Sequence, residues 1–305
     1  MPSGESDATS ELDEVASEFV RLRPRLFGIA YRMLGDATEA EDLVQDVWLR
    51  WQSTDRSAVI HPAAYLATAV TRLAINVARS ARSQREAYVG PWLPEPVDTS
   101  ADPEVGAERG EALELAVLLL LERLSPTQRA AYVLRDAFDY SYEAISEILQ
   151  LEEANVRQLV SRARKHIAEG RRAPVSTDQH RRLLSAFLVA AQAGDFAALE
   201  GLFTADVVSV SDGGGIIGAA RVPVVGRPRV TKFMAIVANK FWRGTTTAWV
   251  EANGRAGVLV SRGDTAIALL AISASDEGID RLMWIMNPTK LAAFARSLSG
   301  ARRPA

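Results

Sequence analysis

The chain has no cysteine among its 305 residues. That excludes disulfides, thiolate metal sites, iron–sulfur clusters and cysteine nucleophiles, and it fits a reducing interior. Histidine is scarce as well: His61, His166 and His180 are widely separated and form no HExxH-type pair, which argues against a histidine-based metal site. The first twenty residues carry six acidic side chains and no basic one, the reverse of a secretory n-region. Long apolar runs are missing too, since the stretch 115–121 is far too short to span a bilayer. These absences lead to the expectation of a soluble, cytoplasmic protein with no membrane partner, metal or cofactor. What is present is ordinary for a globular chain, with 48% hydrophobic and 24% charged residues and a net charge of −3. At ~150 residues per domain the length suggests about two domains.

A slightly acidic total disfavours a nucleic-acid partner until the charge is divided by segment. Residues 51–90 hold five basic and two acidic side chains, and residues 154–172 hold six and one. Between them, residues 91–125 hold two basic and eight acidic side chains. Two basic islands separated by an acidic stretch suit a protein that touches DNA at two places. The acidic stretch begins as a linker, because the prolines of Trp92-Leu93-Pro94-Glu95-Pro96 remove donors and keep their neighbours extended. A second break falls at 171–178, and the chain reads as units 12–90, 110–172 and 177–305, with 91–109 as the linker.

The first unit is helical, with a bend expected at Pro24 and a loop at 53–62. Val44, Val47, Trp48 and Trp51 recur at helical spacing, while Asp42, Gln45, Asp46 and Leu49 form an acidic strip with an apolar edge on the other side. Periodicity alone makes that strip a solvated helix face. A further helix follows Pro62, with Tyr65, Leu66, Ala69, Leu73 and Val77 expected inward and Arg72, Asn76, Arg79 and Arg82 elsewhere. In the second unit, Ser125 and Gln128 make a capping box, and a short helix at 142–149 meets a tight turn. The next helix has Val156, Leu159, Val160, Ala163 and Ile167 as its buried stripe. Its exposed line is Asn155, Gln158, Arg162 and Lys165, flanked by Arg157, Ser161 and Arg164. Short helix, turn and basic helix is a helix-turn-helix pattern, in which Asn, Gln and Arg read base edges and the other cations neutralise phosphates. Composition leaves it level with an ordinary helical hairpin.

The order of these pieces resembles the extracytoplasmic-function sigma factors of bacterial RNA polymerase. Residues 19–36 and Ala40 to Arg50 resemble sigma region 2, and Leu124-Ser125-Pro126-Thr127-Gln128-Arg129 through Lys165 resembles region 4. The resemblance covers about 12–172 and implies transcription initiation. Core RNA polymerase (β′ clamp helices and β subunit) and promoter DNA are the implied partners. Asp42, Gln45, Asp46 and Leu49 would dock on the clamp helices. Arg72, Asn76, Arg79 and Arg82 would melt and read the −10 element, and Asn155, Arg157, Gln158, Ser161, Arg162 and Lys165 would read the −35 element. Opening needs no ATP, because pocket contacts and phosphate neutralisation offset the few kcal/mol that unstacking a base costs.

The third unit extends beyond the usual end of such a factor. Leu183, Leu184, Phe187, Leu188 and Ala191 predict a helix stopped by Gly194, and Asp195 caps another. Strand-like runs follow at 207–211, 245–250, 257–262, 265–273 and 279–286, with a helix at 228–241. The fold class is therefore multidomain: two all-α sigma domains followed by an α+β cone with a mostly antiparallel sheet, similar to NTF2/SnoaL-like proteins. Enzymes share that cone, but fold alone does not license one, and the domain has no Tyr and only His180. Asp206, Asp212, Glu251 and Asp264 are the remaining acid–base candidates, with turn or surface roles expected, so no catalytic residue is assigned. Trp249, Leu269 and Trp284 are candidates to line a pocket for a small hydrophobic ligand, against a default of core packing. Three motifs resemble the sigma-J-like subgroup: Trp92-Leu93-Pro94-Glu95-Pro96, Asp212-Gly213-Gly214-Gly215 followed by Ile216 where Lys is usual, and Asn287-Pro288-Thr289-Lys290-Leu291 with Thr289 where Asp is usual. The resemblance implies an intramolecular contact through which the C-terminal domain tunes activity in cis.

Overall fold

A computed structural model describes residues 4–100, 113–215 and 219–301. Two compact units emerge, and they cut across the sequence partition. Helices on both sides of the linker share one unit, residues 1–82, 107–112 and 121–165. The linker start joins the sheet-bearing unit, residues 83–106, 113–120 and 166–305.

In the first unit, α1 (Gly4–Leu34) runs through Pro24 without ending there. Gly35 takes a positive φ of 66°, and Asp36 caps α2 (Ala37–Gln52) by accepting from Glu39 N at 2.9 Å. Ala40, Leu43, Val44, Val47 and Trp51 are buried on α2, while Trp48 is half-buried against Phe19 with ring centroids 4.8 Å apart. The buried face of α3 (Pro62–Glu86) is turned by one residue from the expected one. Leu66, Ala67, Val70, Ala74, Ile75, Ala78 and Ala81 face inward, whereas Tyr65 is 40% exposed and Ala69, Leu73 and Val77 are only half-buried. Alanines at 67, 74, 78 and 81 share the buried face with Leu66, Val70 and Ile75, so the packed side is not the one that the largest side chains mark.

Beyond the linker lie α4 (Leu115–Leu121) and α5 (Pro126–Tyr132). Ser125 and Gln128 form the reciprocal capping box of α5, and a π turn, Val133–Ala137, extends it. Next, α6 (Tyr142–Leu149) is capped by Ser141 and ends at Gln150 in the left-handed region, φ 54°. That turn leads to α7 (Glu153–Gly170), which buries Val156, Val160, Ala163 and Ile167, with Leu159 half-buried.

The second unit opens with α8 (Thr177–Ala193) and α9 (Phe196–Leu202), divided by Gly194 at φ 70° and capped by Ser176 and Asp195. Six strands follow: β1 (Phe203–Asp212), β2 (Val224–Val225), β3 (Thr246–Ala252), β4 (Arg255–Arg262), β5 (Thr265–Ser275) and β6 (Gly278–Ile285). They lie in the order β2-β1-β6-β5-β4-β3, antiparallel except for the β1–β6 pair. Gly278 at φ 121° is required, since a Cβ there would come within 2.5 Å of Leu202 O. Helix α10 (Arg227–Trp242) precedes β3, and α11 (Pro288–Ala301) ends the described chain. The inner core joins Leu184 and Phe187 of α8, Val230 and Met234 of α10, and the strand residues Val258, Leu270, Leu282 and Trp284. Among the described residues no helix is long and apolar enough to cross a membrane.

His180 of α8 is buried in this unit, with Nε2 3.2 Å from Ile272 O. Burial holds its pKa below the usual value, partly offset by that carbonyl. Above about pH 6.5 the imidazole is neutral in both folded and unfolded states. As pH falls through 6.5 the unfolded chain takes up a proton that the folded chain resists, so stability declines. Urea unfolding at fixed pH values should therefore show a flatter stability–pH profile between about pH 7 and pH 5 in His180→Gln than in the parent. Identical slopes would assign the acid sensitivity elsewhere.

Candidate polymerase, promoter and interdomain sites

Asp42, Gln45, Asp46 and Leu49 are all exposed on α2, on the side away from its buried stripe, and Leu49 is 56% exposed. The strip thus combines an apolar side chain open to water with two carboxylates.

The residues on α3 are less open. Asn76 and Arg79 are exposed, and the side chain of Arg82 lies outside the described residues. Arg72 donates from Nε to Ile148 O at 2.9 Å and from Nη2 to Glu147 O at 3.2 Å. Those are carbonyls in the last turn of α6, where the helix dipole favours a cation. More arginines join the two halves of this unit, and their positions carried no sequence signal. Arg129 is 4% exposed and donates to Leu121 O at 2.9 Å and Met33 O at 2.6 Å. Arg25 donates to Phe138 O at 2.9 Å and lies over the Phe138 and Tyr140 rings.

On α7, Asn155, Gln158, Arg162 and Lys165 form an exposed line at spacings of three, four and three, and Ser161 is exposed beside it. Arg157 pairs with Glu153 and stacks 4.4 Å over Tyr142. Arg164 pairs with Asp136 at 3.0 Å, which fixes the flank of the helix.

In the second unit the three motifs meet around one carboxylate. Asp212, at the end of β1, is fully buried. Its Oδ2 accepts from Lys290 Nζ at 2.7 Å and Leu93 N at 3.0 Å, and its Oδ1 accepts from Tyr88 OH at 2.5 Å and Gly214 N at 3.1 Å. Lys290 is 6% exposed on the first turn of α11; it also donates to Leu93 O and sits 4.5 Å over the Trp92 ring. Asn287 donates from Nδ2 to Tyr88 OH at 2.9 Å and accepts from Thr289 N at 3.0 Å, so Asn287 ties the site to the start of α11. Gly214 has φ 60°, and a Cβ there would come within 2.9 Å of Asn287. Gly213 is buried, Gly215 is exposed, and Pro288 opens α11. Leu93, Pro94, Glu95 and Pro96 are buried, and the linker continues as a strand-like edge, with a bridge from Asp98 to Ala252. Ile216 lies outside the described residues.

Two partners here were missed from sequence. Tyr88, pushed up to about pKa 12 first by burial and then by its bond to Asp212, holds Oδ1. Arg85 stacks 3.9 Å over Trp92. An Arg and a Tyr just ahead of the Trp-Leu-Pro-Glu-Pro run was the signal that could have found them.

Residues 19–84 match the Sigma-70 region 2 family and residues 114–167 the Sigma-70 region 4 family. The ECF RNA polymerase sigma factor SigJ of Mycobacterium tuberculosis is 36% identical over 289 residues, 90% of this chain and 92% of that protein. The chain belongs to the extracytoplasmic-function sigma factors. The crystal structure of Mycobacterium tuberculosis SigJ superposes on this chain with a TM-score of 0.74 at 33% identity, over 91% of this chain and 98% of that one. A probable ECF sigma factor, SigI of the same species, is 28% identical over 95% of this chain and 99% of its own length. The likeness thus extends over the C-terminal domain of this sigma factor as well as regions 2 and 4.

The acid–base candidates in that domain do not converge. Asp206 pairs with Arg172 at 2.8 Å, Glu251 accepts from Thr99 at 2.8 Å, Asp264 is exposed at a turn, and Asp212 is held as described. A cavity of about 50 Å³ lies instead against α10, lined by Phe233, Met234, Phe241, Trp242, Ser211 and Trp284 among others, none of its lining residues ionisable. Trp249, 41% exposed, and Leu269, buried outside the inner core, do not line it.

Removing one partner of a buried ion pair leaves the other charge desolvated, which costs about 3–5 kcal/mol. Asp212→Ala should lose that much in urea unfolding, and Asp212→Ala/Lys290→Met should recover most of it. Equal losses in the single and double variants would contradict the pairing.

Proposed function

We propose that this sigma factor binds core RNA polymerase through Asp42, Gln45, Asp46 and Leu49 and directs promoter-specific initiation. Arg72, Asn76, Arg79 and Arg82 read the −10 element, and Asn155, Arg157, Gln158, Ser161, Arg162 and Lys165 read the −35 element. The observation that carries the reading is the coexistence, in family order, of an exposed acidic strip on α2 and an exposed base-reading line on α7. The C-terminal domain tunes this activity in cis by holding the linker at Asp212, Lys290 and Asn287. The protein works in the cytoplasm, where core polymerase and promoter are found.

Arg72 supports a closed resting state. Its guanidinium is engaged by the last carbonyls of α6, so capture of an opened strand by Arg72 requires α3 and α6 to part.

A second reading rests on the cavity. Trp284 is 5% exposed, lines it, and leaves its indole N–H without an acceptor. A buried donor beside apolar walls suits a very small apolar molecule with one acceptor oxygen. Phenol is a fitting probe, and quenching of tryptophan fluorescence that Trp284→Phe abolishes would support this reading.

Asp46→Arg should weaken binding to core polymerase at least tenfold in a pull-down titration, and normal affinity would remove the α2 strip from the docking surface. In transcription with core polymerase, the full chain is compared with one ending near Arg172. Promoter-directed product from neither would overturn the sigma-factor role.

A further inference from the structure

The exposed face of α10 is a stripe of cations that neither regions 2 and 4 nor the linker contact uses. Between Gly213 and Val250 the sequence has six basic residues and no acidic one. The helix turns Val230, Met234 and Ala238 inward. On the roughly opposite side, Arg229, Lys232, Ile236, Lys240 and Arg243 are exposed at spacings of three, four, four and three. At about 1.5 Å per residue the stripe is about 21 Å long. Arg262, also exposed, donates to Lys240 O at 3.5 Å and Phe241 O at 3.1 Å, and so extends the stripe at the C-terminal end of the helix.

Helix stability does not account for this pattern. Lys240 and Arg243 suit the negative end of the helix dipole, but Arg227 and Arg229 sit in the first turn, where the dipole opposes a cation and no acidic residue is present. No ion pair is recorded for Arg229, Lys232, Lys240 or Arg243 among the described residues. Four like charges on one face repel one another unless a polyanion lies along them.

We infer that the α10 stripe is a third DNA-binding surface, one that tracks the phosphate backbone of duplex DNA without reading its sequence. The exposed line holds Arg and Lys around Ile236, without the Asn and Gln that accompany Arg162 on α7, so the contact is assigned to phosphates, which position the protein and do not specify a sequence. The choice of duplex over another polyanion rests on the sigma-factor reading above. An acidic protein surface, including the chain's own acidic segment, is the rival occupant.

The test uses the full-length chain and a random-sequence 40-bp duplex, with anisotropy titrations from about 50 to 200 mM salt. Each phosphate contact contributes about 0.9 to the slope of log K against log salt. The variant R229Q/K232Q/K240Q/R243Q should lower that slope by about 3.6 and weaken binding at 50 mM salt by at least tenfold. The charge-conserving K232R/K240R should keep the parent slope. Should the fourfold variant fail to fold, Lys232→Gln and Lys240→Gln singly should each lower the slope by about 0.9. An unchanged slope, or no measurable binding by the parent chain, overturns the inference. So does an unchanged slope with weakened binding to core polymerase, which would assign the stripe to a protein surface. Arg162→Ala, measured alongside, separates the two readings. Loss there without loss in the α10 variants sinks the third surface alone, and the converse sinks only the −35 assignment.

Discussion

The hold of the C-terminal sheet on the linker depends on one buried carboxylate. Asp212 has no exposed surface, and four donors converge on it from three separate stretches of sequence. A buried charge is tolerable only when its partners are all in place, because each missing donor leaves a desolvation cost of the order of kcal/mol. The site therefore favours an all-or-none arrangement: the linker is on the sheet, or it is off and the Asp212–Lys290 pair loses Tyr88 and both backbone groups of Leu93 together. The buried cation has its own second partner in the Leu93 carbonyl and two aromatic faces above it. A contact built this way resembles a latch more than a graded adhesive.

The latch holds more than the motif. Tyr88 follows the end of α3 by two residues, so the chain is anchored almost as soon as that helix stops. On the far side of the linker, Asn253 donates to Leu113 O at 3.0 Å and Arg255 pairs with Glu114 at 2.8 Å, just ahead of α4. Both ends of the tether joining regions 2 and 4 are thus fixed to one sheet. A change in the C-terminal domain that freed the tether would lengthen the reach available to regions 2 and 4. That is the mechanical route the proposed cis control would take, and in a chain without cysteine it needs no thiol chemistry.

Much of this was legible in sequence, for identifiable reasons. Caps were legible because Ser125, Gly194 and Asp195 satisfy local geometry that a few neighbouring residues determine. The exposed lines on α2 and α7 were legible because their opposite faces carry large apolar residues at helical spacing. The face of α3 was misread because alanines pack it, and a hydrophobicity pattern weights size over smallness. Tyr88, Arg129 and the occupation of Arg72 were illegible for a different reason. Each depends on a carbonyl or carboxylate far away in sequence, 124 residues away for Tyr88 and 96 for Arg129 bound to Met33. No local pattern encodes such a partner.

Charge carries the same lesson about scale. The net of −3 hid two basic islands, and those islands in turn drew attention from a third. The α10 stripe adds four cations, with Arg262 beside them, on the outward side of a helix whose inward side carries the aromatic residues of the cavity. The outward side obeys a different constraint. A pocket wall needs only Val230, Met234 and Phe241 facing in, and solvent would accept any polar residues facing out, acidic ones included. Solvent exposure alone gives no reason for a 38-residue stretch of sequence without a single carboxylate, with two arginines placed against the helix dipole. A polyanion does, because every carboxylate on that face would weaken its binding.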